Sequence, residues 1–156
     1  MNAFTKVHDG IAPNIFTNAG ICALSPSKES ESLEPEDERF QWRKALWDTG
    51  ATQSCISDRL AGSLGLEMVG FVEIGSAVGV HNVPFYHAHF LLPNRLVFHD
   101  MELIQFTYTD DDCDLIIGMD IMTQGDLALT NFEGRTVFSF RIPSLHTVDF
   151  EAEHAM

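Results

Sequence analysis

From Phe40 onward the chain is a succession of short apolar runs separated by turn-forming residues. Runs of this length, when rich in β-branched and aromatic residues, predict strands. We predict strands at 41–47, 54–56, 68–76, 83–92, 101–108, 114–117, 127–130 and 136–141. Segments 58–64 and 120–124 are typical of short helices. The pattern therefore predicts a mostly β barrel or sandwich with one or two short helices.

Local signals mark the ends of several of these elements. Ser57 can cap the helix at 58–64, and Gly65 fits the C-terminal end of that helix. Residues 77–82 separate two β-rich runs and predict a hairpin. A second hairpin is predicted to turn through 131–135 and to close the fold.

The first 39 residues are harder to interpret. Scattered apolar residues in 1–28 predict either an extra strand or an arm, whereas the stretch 25–38 is rich in Ser, Pro and Glu, as in linkers. We therefore expect the fold to survive removal of residues 1–28. The predicted organisation is an N-terminal arm with an acidic linker (1–39), a folded domain (40–142) and an acidic C-terminal tail (143–156).

Charge and cysteine usage limit the possible partners. The 156-residue chain has 23 acidic and nine basic residues, a formal charge of −14. This balance argues against nucleic acid, which requires clustered Lys and Arg. Three widely spaced cysteines do not make a disulfide framework, which favours a reducing compartment such as the cytoplasm. No apolar run is long enough to span a membrane, and the N-terminus is a poor signal peptide.

The most informative segment is Asp48-Thr49-Gly50, directly after the apolar strand 41–47. The strand would deliver the Asp48 carboxylate to a fixed place. Thr49 offers a hydroxyl that can bond across a subunit boundary, and Gly50 lets the backbone approach the carboxylate without a Cβ in the way. The alternative interpretation is an ordinary turn aspartate satisfied by local backbone.

A second segment about 65 residues later strengthens the functional interpretation. Residues 115–122 (LIIGMDIM) combine an apolar strand, a glycine and a short helix. Together with 48–57 (DTGATQSCIS), this segment resembles the retropepsin-like aspartic peptidases, especially those of long-terminal-repeat retroelements and their cellular relatives. The resemblance covers about residues 42–141.

This resemblance implies a closed acid-protease-type barrel, a homodimer and an aspartic endopeptidase that needs no cofactor and no metal. Asp48 would be the catalytic carboxylate. Thr49, Gly50 and Ala51 would support the active site, and Val78, Gly79 and Val80 would form a flap over the substrate, with Gly75 a second candidate for the flap glycine. Ile117, Gly118 and Asp120 would be structural residues of the second motif.

The sequence also departs from the family pattern. Retroviral enzymes often have an arginine after the glycine of the second motif, where this chain has Met119. The Asp48 turn or the dimer must therefore be secured by other contacts.

A single Asp-Thr-Gly has a mechanistic consequence. Aspartic peptidases use two carboxylates that share one proton, one acting as base on a water and the other polarising the scissile carbonyl. This chain has one such motif, so the resemblance implies that a second subunit supplies the other Asp48. The rival hypothesis is a non-catalytic dimerisation or peptide-binding module that keeps the fold.

Other chemically suggestive residues have simpler interpretations. His87 and His89 share a strand face but have no clear third metal ligand nearby, so a structural pair is favoured over zinc. Cys55 lies in an apolar run and is expected to be a buried small residue rather than a nucleophile. Asp120 is expected to cap the short helix and accept backbone hydrogen bonds. Residues 110–112 are acidic but lack calcium-loop spacing.

Overall fold

The computed structural model describes residues 2–25, 33–76, 79–107 and 113–153. Within these ranges the chain forms ten strands and three short α-helices. The strands are β1 (Asn2–Val7), β2 (Phe16–Ala23), β3 (Gln41–Trp47), β4 (Cys55–Ser57), β5 (Met68–Ser76), β6 (Gly79–Leu91), β7 (Val97–Phe106), β8 (Leu115–Ile117), β9 (Asp126–Thr130) and β10 (Val137–Ile142). The helices are α1 (Asp58–Ser63), α2 (Met119–Met122) and α3 (Phe150–Glu153). The prediction of a mostly β fold is confirmed.

The strands pair into two sheets. The larger sheet has the order β2-β3-β8-β4-β7-β6-β5, and β2 also pairs with β6. Six of its seven strands therefore run in a closed hydrogen-bonded circuit, from which β5 extends. Two pairs, β3 with β8 and β4 with β7, are parallel, and the others are antiparallel. The smaller sheet has the order β1-β10-β9 and is antiparallel.

An aromatic cluster joins the two sheets. The ring of Trp47, at the end of β3, lies 4.9 Å from that of Phe138 and 5.0 Å from that of Phe140, both on β10. Phe4 of β1 packs on the same cluster, with its centroid 5.8 Å from Trp47. The indole N–H of Trp47 donates to Thr17 Oγ1 at 2.9 Å, so this buried ring leaves no polar atom unsatisfied. Packing of these rings fixes the end of β3 and the turn that follows it.

The helix signals in the sequence are confirmed for α1. The Ser57 side chain accepts a hydrogen bond from Leu60 N, as an N-cap residue does. Gly65 follows the helix with φ of +63°, a left-handed conformation that glycine adopts without strain. In the described part of the chain, α3 is a third short helix that the sequence did not predict. No helix of these ranges is both long and apolar enough to cross a membrane.

The N-terminal segment is part of both sheets. β1 pairs with β10 from Asn2↔Ile142 to Val7↔Val137, and β2 lies between β3 and β6. Of the two alternatives for the N-terminal segment, the described residues 2–25 therefore contain strands and do not form a detached arm. These residues supply strand pairing and the Phe4 ring, which argues against the expectation that they can be removed without loss of the fold.

Some predicted strand boundaries also change. β3 and β5 have the predicted limits, but β6 begins at Gly79 and not at Val83. The backbone of 79–82 continues the pairing with β5, so most of the predicted 77–82 loop is strand. Residues 77 and 78 lie outside the described residues. β7 begins at Val97, four residues before the predicted start, because its first residues pair with the end of β6.

The start of the C-terminal tail is attached to the smaller sheet through Asp126. The carboxylate of Asp126 accepts from Ser144 Oγ at 2.5 Å, Leu145 N at 2.9 Å and Arg141 Nε at 2.8 Å. These donors, led by the Ser144 hydroxyl, hold the pKa of Asp126 well below its usual range. The beginning of the predicted acidic tail is thus anchored rather than detached.

Candidate active site

The Asp48 turn begins where β3 ends. Asp48 N donates to Ile117 O of β8 at 3.0 Å, which ties the turn to the neighbouring parallel strand. Gly50 N donates to Asp48 Oδ1 at 2.8 Å, and Ala51 N donates to Asp48 O at 3.1 Å. The carboxylate is therefore held in one orientation by its own turn.

Gly50 allows this close approach. A Cβ on Gly50 would lie 3.1 Å from Asp48 Oδ1, tighter than ordinary van der Waals contact. Asp48 itself is half-buried, and Thr49 is exposed beside it. Within the described part of the chain, Asp48 Oδ2 has no hydrogen-bond partner. This oxygen is therefore available for water, substrate or a second carboxylate.

The second motif interlocks with the loop that follows Asp48. Met119 N donates to Ala51 O at 2.8 Å, and Asp120 N donates to Thr52 O at 3.2 Å. A Cβ on Gly118 would lie 2.6 Å from the carbonyl carbon of Gln53, so only glycine fits there. Two segments far apart in sequence thus form one rigid unit.

Ser54 is the residue at the centre of this unit, and sequence reasoning gave it no role. Its side chain is fully buried. Ser54 N and Ser54 Oγ both donate to the Asp120 carboxylate, and Ser54 Oγ accepts from Gly118 N at 3.0 Å. The only available signal was its place in the Ser-x-Ile-Ser pattern.

Asp120 plays most of the predicted role. Its carboxylate accepts backbone hydrogen bonds from Ser54 and Ile121, as expected. The N-cap position of α2 is occupied by Gly118, however, so the capping part of the prediction is wrong. The reason is that α2 begins at Met119, two residues before the start that an N-cap at Asp120 would require. No arginine contributes to these contacts, which secure the Asp48 turn where Met119 replaces the arginine of retroviral enzymes.

A cavity of about 220 Å³ opens beside the Asp48 carboxylate. Its walls are mostly apolar and come from the loop before β2, the end of β3, α2 and the smaller sheet: Pro13, Asn14, Ile15, Trp47, Asp48, Thr49, Met122, Leu127, Leu129 and Phe138. The contribution of residues 13–15 was not foreseen, because the sequence of the N-terminal segment carries no catalytic pattern. On β9, Leu127 and Leu129 are partly exposed next to this cavity.

The predicted flap corresponds to the ribbon of β5 and β6. The two strands pair out to Ser76↔Gly79, and the part of β6 before Phe85 has no β7 partner. Gly79 has φ of +130°, a conformation that a side chain would strain. The side chain of Val80 is 68% exposed. Val78 lies outside the described residues.

Cys55 borders the site but is not activated. Burial raises the pKa of its thiol to about 12, and the carboxylates of Asp120 and Asp48 add to the shift. A thiol that stays protonated at neutral pH is a poor nucleophile. Cys55 was predicted to be a buried small residue; it is half-buried, whereas its neighbour Ile56 on β4 is fully buried.

The histidines of β6 make local contacts. His87 Nδ1 is 2.7 Å from Asp100 Oδ1, and the rings of His89 and His99 meet edge to face at 5.4 Å. Asp100 has φ of +52° at an irregularity in the β6–β7 pairing. No group of three potential metal ligands occurs in the described ranges.

Comparison with known proteins bears on the fold. The chain is similar to a retropepsin-like aspartic protease from Rickettsia conorii, with a TM-score of 0.52 and 10% identity over 88% of this chain and 91% of that chain. The Simian Foamy Virus (mac) protease aligns with 16% identity and a TM-score of 0.43, over 68% of this chain and 89% of that chain. The retroviral protease-like domain of Ddi1 from Leishmania major aligns with 22% identity and a TM-score of 0.37, over 70% and 90%.

No protein-family model matches the sequence, and no curated protein does either. Of the three structures, we rely on the one from Rickettsia, whose TM-score is above 0.5. Because its identity to this chain is only 10%, the similarity concerns the fold alone. The predicted resemblance to retropepsin-like proteins is confirmed at that level.

Proposed function

We propose that this chain, which has a retropepsin-like fold, is one subunit of a homodimeric aspartic endopeptidase. Asp48 is its catalytic residue, and a second copy of the chain supplies the other carboxylate. The substrate is a peptide or protein bound in an extended conformation.

The orientation of the Asp48 carboxylate is the observation that carries this proposal. Gly50 N fixes Oδ1 from within the turn, while Oδ2 has no partner in the described residues. An ordinary turn aspartate needs only local backbone partners. Here two further sets of hydrogen bonds hold the turn itself: the bond from Asp48 N to Ile117 O, and those between Ser54 and Asp120. Such preorganisation is what a catalytic carboxylate requires.

The need for a second subunit follows from the single Asp-Thr-Gly. Two carboxylates placed about 3 Å apart cannot both be ionised, so the pair holds one proton. The surface next to Asp48 suits a partner, because Thr49 is exposed there and the apolar side chains of Leu127 and Leu129 are partly exposed. Across a twofold axis, each Thr49 hydroxyl could bond to the other subunit, as the resemblance implies.

Proton transfer in the proposed reaction runs entirely through this pair. The ionised carboxylate removes a proton from water, whose oxygen attacks the scissile carbonyl carbon. The protonated carboxyl gives its proton to the carbonyl oxygen, which yields a tetrahedral diol. On collapse of the diol the C–N bond breaks. The carboxyl that took the proton from water gives it to the amine nitrogen, and the ionised carboxylate takes one hydroxyl proton of the diol. The products are a carboxylic acid and an amine, and the pair again holds one proton. No metal or cofactor enters this sequence.

Two further segments complete the proposed site. The ribbon tip, with Val78, Gly79 and Val80, covers the peptide, whose backbone adds strand-like hydrogen bonds to it. Ala51, Ile117, Gly118 and Asp120 position the Asp48 turn without touching substrate.

A digestion experiment tests the proposal. Denatured proteins are incubated with the chain at pH 4 to 6, with and without a statine-containing peptide, and the products are identified by mass spectrometry. We expect cleavage that the statine peptide inhibits and that Asp48→Asn abolishes. Undiminished cleavage by correctly folded Asp48→Asn would contradict the role of Asp48. Absence of cleavage at any concentration, together with dimer formation, would favour a non-catalytic module.

A further inference from the structure

Strand registers place a continuous row of side chains on one face of the larger sheet. Leu46 pairs with Ile116, Ile116 with Cys55, Cys55 with Ile104, and Ile104 with Phe85. Residues that alternate with this row, such as Trp47, Ile117 and Ile56, face the core instead. The row therefore forms an apolar floor that crosses five strands.

Asp48 follows the end of β3, two residues after Leu46, and its carboxylate is close enough to the Cys55 thiol of this floor to raise the pKa of that thiol. From each of the other four floor residues, we move two residues along the strand towards the end of the sheet where Asp48 lies. This gives a second row, whose members are mostly polar. That row consists of Asp48, Gly118, Gln53, Glu102 and His87, of which Glu102 and His87 are paired in the strand register.

Contacts join the other members of the row. Asp48 N donates to Ile117 O, directly before Gly118, and a Cβ on Gly118 would lie 2.6 Å from the carbonyl carbon of Gln53. Gln53 Nε2 in turn donates to Glu102 Oε1 at 3.0 Å.

At the end of this row away from Asp48, one carboxylate oxygen is, among the described residues, free to bind a ligand. Glu102 is half-buried and uses Oε1 for Gln53, while its Oε2 has no hydrogen-bond partner within the described ranges. The imidazole of His87 is already bound to Asp100. In the same ranges, no Lys or Arg side chain pairs with Glu102. The far end of the row therefore offers carboxylate and amide oxygens to a ligand that donates hydrogen bonds.

The distance between Asp48 and Glu102 determines which residue of an extended substrate would contact Glu102. Glu102 lies three strands from Asp48, and neighbouring strands are about 4.8 Å apart, so the separation is about 14 Å. An extended peptide advances about 3.4 Å per residue. With the reach of a long side chain included, the contact falls about two to four residues from the scissile bond.

We propose that Glu102 and Gln53 form a subsite selecting a lysine or arginine of the substrate, two to four residues from the scissile bond. The inference rests on the proposed function, since it takes Asp48 as the reacting end of the row. A cationic side chain would place its charge against Glu102 Oε2 and donate to the Gln53 amide oxygen. The formal charge of −14 also attracts basic peptides and disfavours acidic ones.

The test compares three otherwise identical peptides with Lys, Gln or Glu at each position two to four residues from the cleaved bond. Hydrolysis is measured at fixed pH and two salt concentrations with wild type, Glu102→Gln and Glu102→Lys. Glu67→Gln is the matched control, because Glu67 is an exposed residue outside both rows and its loss changes the net charge equally. Circular dichroism verifies that each variant is folded, and Gln53→Ala provides a second, uncharged change at the subsite.

At one position we expect wild type to favour Lys over Glu by about tenfold in kcat/KM. Glu102→Gln should remove most of this preference, Glu102→Lys should reverse it, and Glu67→Gln should keep it. Equal hydrolysis of all three peptides by wild type, or an unchanged preference in Glu102→Gln, would overturn the subsite and leave the peptidase proposal intact.

The same peptides with fluorescent labels are also measured for binding. If no peptide is cleaved, the peptidase proposal fails, yet a Lys preference in binding that Glu102→Gln removes would still support the subsite. If neither cleavage nor binding depends on the charge of the peptide, the subsite is excluded.

Discussion

The Asp120 carboxylate accepts two hydrogen bonds from Ser54, one from the backbone N–H at 2.9 Å and one from the hydroxyl at 2.8 Å. Ser54 is fully buried, and its oxygen also accepts from Gly118 N. This contact joins the loop after the Asp48 turn to the start of α2. On the proposed function, Asp120 is a positioning residue, and its effect on stability and activity can be measured.

We expect Asp120→Ala to lower the free energy of unfolding by about 2 to 3 kcal/mol, because two buried donors of Ser54 lose their acceptor. Asp120→Asn keeps one acceptor oxygen and should cost about 1 kcal/mol. Activity should follow the same order, with partial recovery in Asp120→Asn. Denaturant unfolding and peptide hydrolysis measure the two quantities. Asp48→Asn is the contrasting variant, since its amide oxygen can still accept from Gly50 N and its stability should be nearly unchanged. Equal stabilities of Asp120→Ala and wild type would show that the network does not hold the turn.

Activity should depend on protein concentration, because each chain contributes one carboxylate. Specific activity is expected to rise with concentration and then plateau. At low salt the plateau should require more protein, since two subunits of charge −14 repel each other until salt screens them. Adding Asp48→Asn chains to wild type should reduce activity beyond simple dilution, whereas unrelated protein should not. Constant specific activity at concentrations where sedimentation gives a monomeric mass would exclude the shared site.

The rate should be greatest below neutral pH. Hydrolysis requires one shared proton on the carboxylate pair, and the rate falls when that proton is lost. The acid limb reflects protonation of the second carboxylate. A profile of kcat/KM from pH 3 to 9 with one peptide tests this expectation. A rate that climbs steadily through pH 8 would be incompatible with a carboxylate pair.

Truncation of residues 1–7 should destabilise the whole domain. The truncation removes the β1–β10 pairing and the Phe4 ring, and it uncovers Trp47 directly before the Asp48 turn. Phe4→Ala alone should cost about 2 to 4 kcal/mol in unfolding free energy. Thr5→Ala is the matched control, because Thr5 lies on the exposed face of the same strand, and it should cost less than about 1 kcal/mol. Native stability and activity of the truncated chain would contradict this role of β1.

Cys55 should be inert to alkylation at neutral pH, although it is only half-buried. Its folded-state pKa of about 12 lies above the usual 9.0, chiefly through burial. Because the raised pKa favours the protonated folded form, the associated stability is complete below pH 9 and is lost as pH rises towards 12. Iodoacetamide labelling with mass spectrometry at pH 7.5 measures the reactivity. The free energy of unfolding, measured with denaturant, should decrease more steeply between pH 8 and pH 11 for wild type than for Cys55→Ala. Rapid labelling of Cys55 in the folded protein would contradict the prediction.

Local chemistry in the sequence determined several elements correctly. The limits of β3, the helix cap at Ser57 and the left-handed Gly65 follow from residue preferences that act over a few neighbours. The two motifs around Asp48 and Gly118 were likewise visible, because each is a strand followed by a turn of defined composition. For the same reason the resemblance to retropepsin-like proteins could be drawn from the sequence.

The role of the N-terminal segment was decided only by tertiary structure. β2 is buried on both faces between β3 and β6, so it lacks the alternation that marks a half-exposed strand. β2 also needs a small residue at position 20, because a Cβ on Gly20 would lie 3.1 Å from Leu91 Cβ. Such a requirement depends on residues distant in sequence.

The sequence also did not show which residues contact those of the candidate site. Any strand with a period of two can pair with many others, and only the register selects which side chains meet. That register brings Ser54 to Asp120 and Gln53 to Glu102. The sequence by itself thus determined that Asp48 follows a strand in an Asp-Thr-Gly turn. The closed strand circuit decided which residues hold that turn and which extend the cleft beside it, because those contacts join strands far apart along the chain.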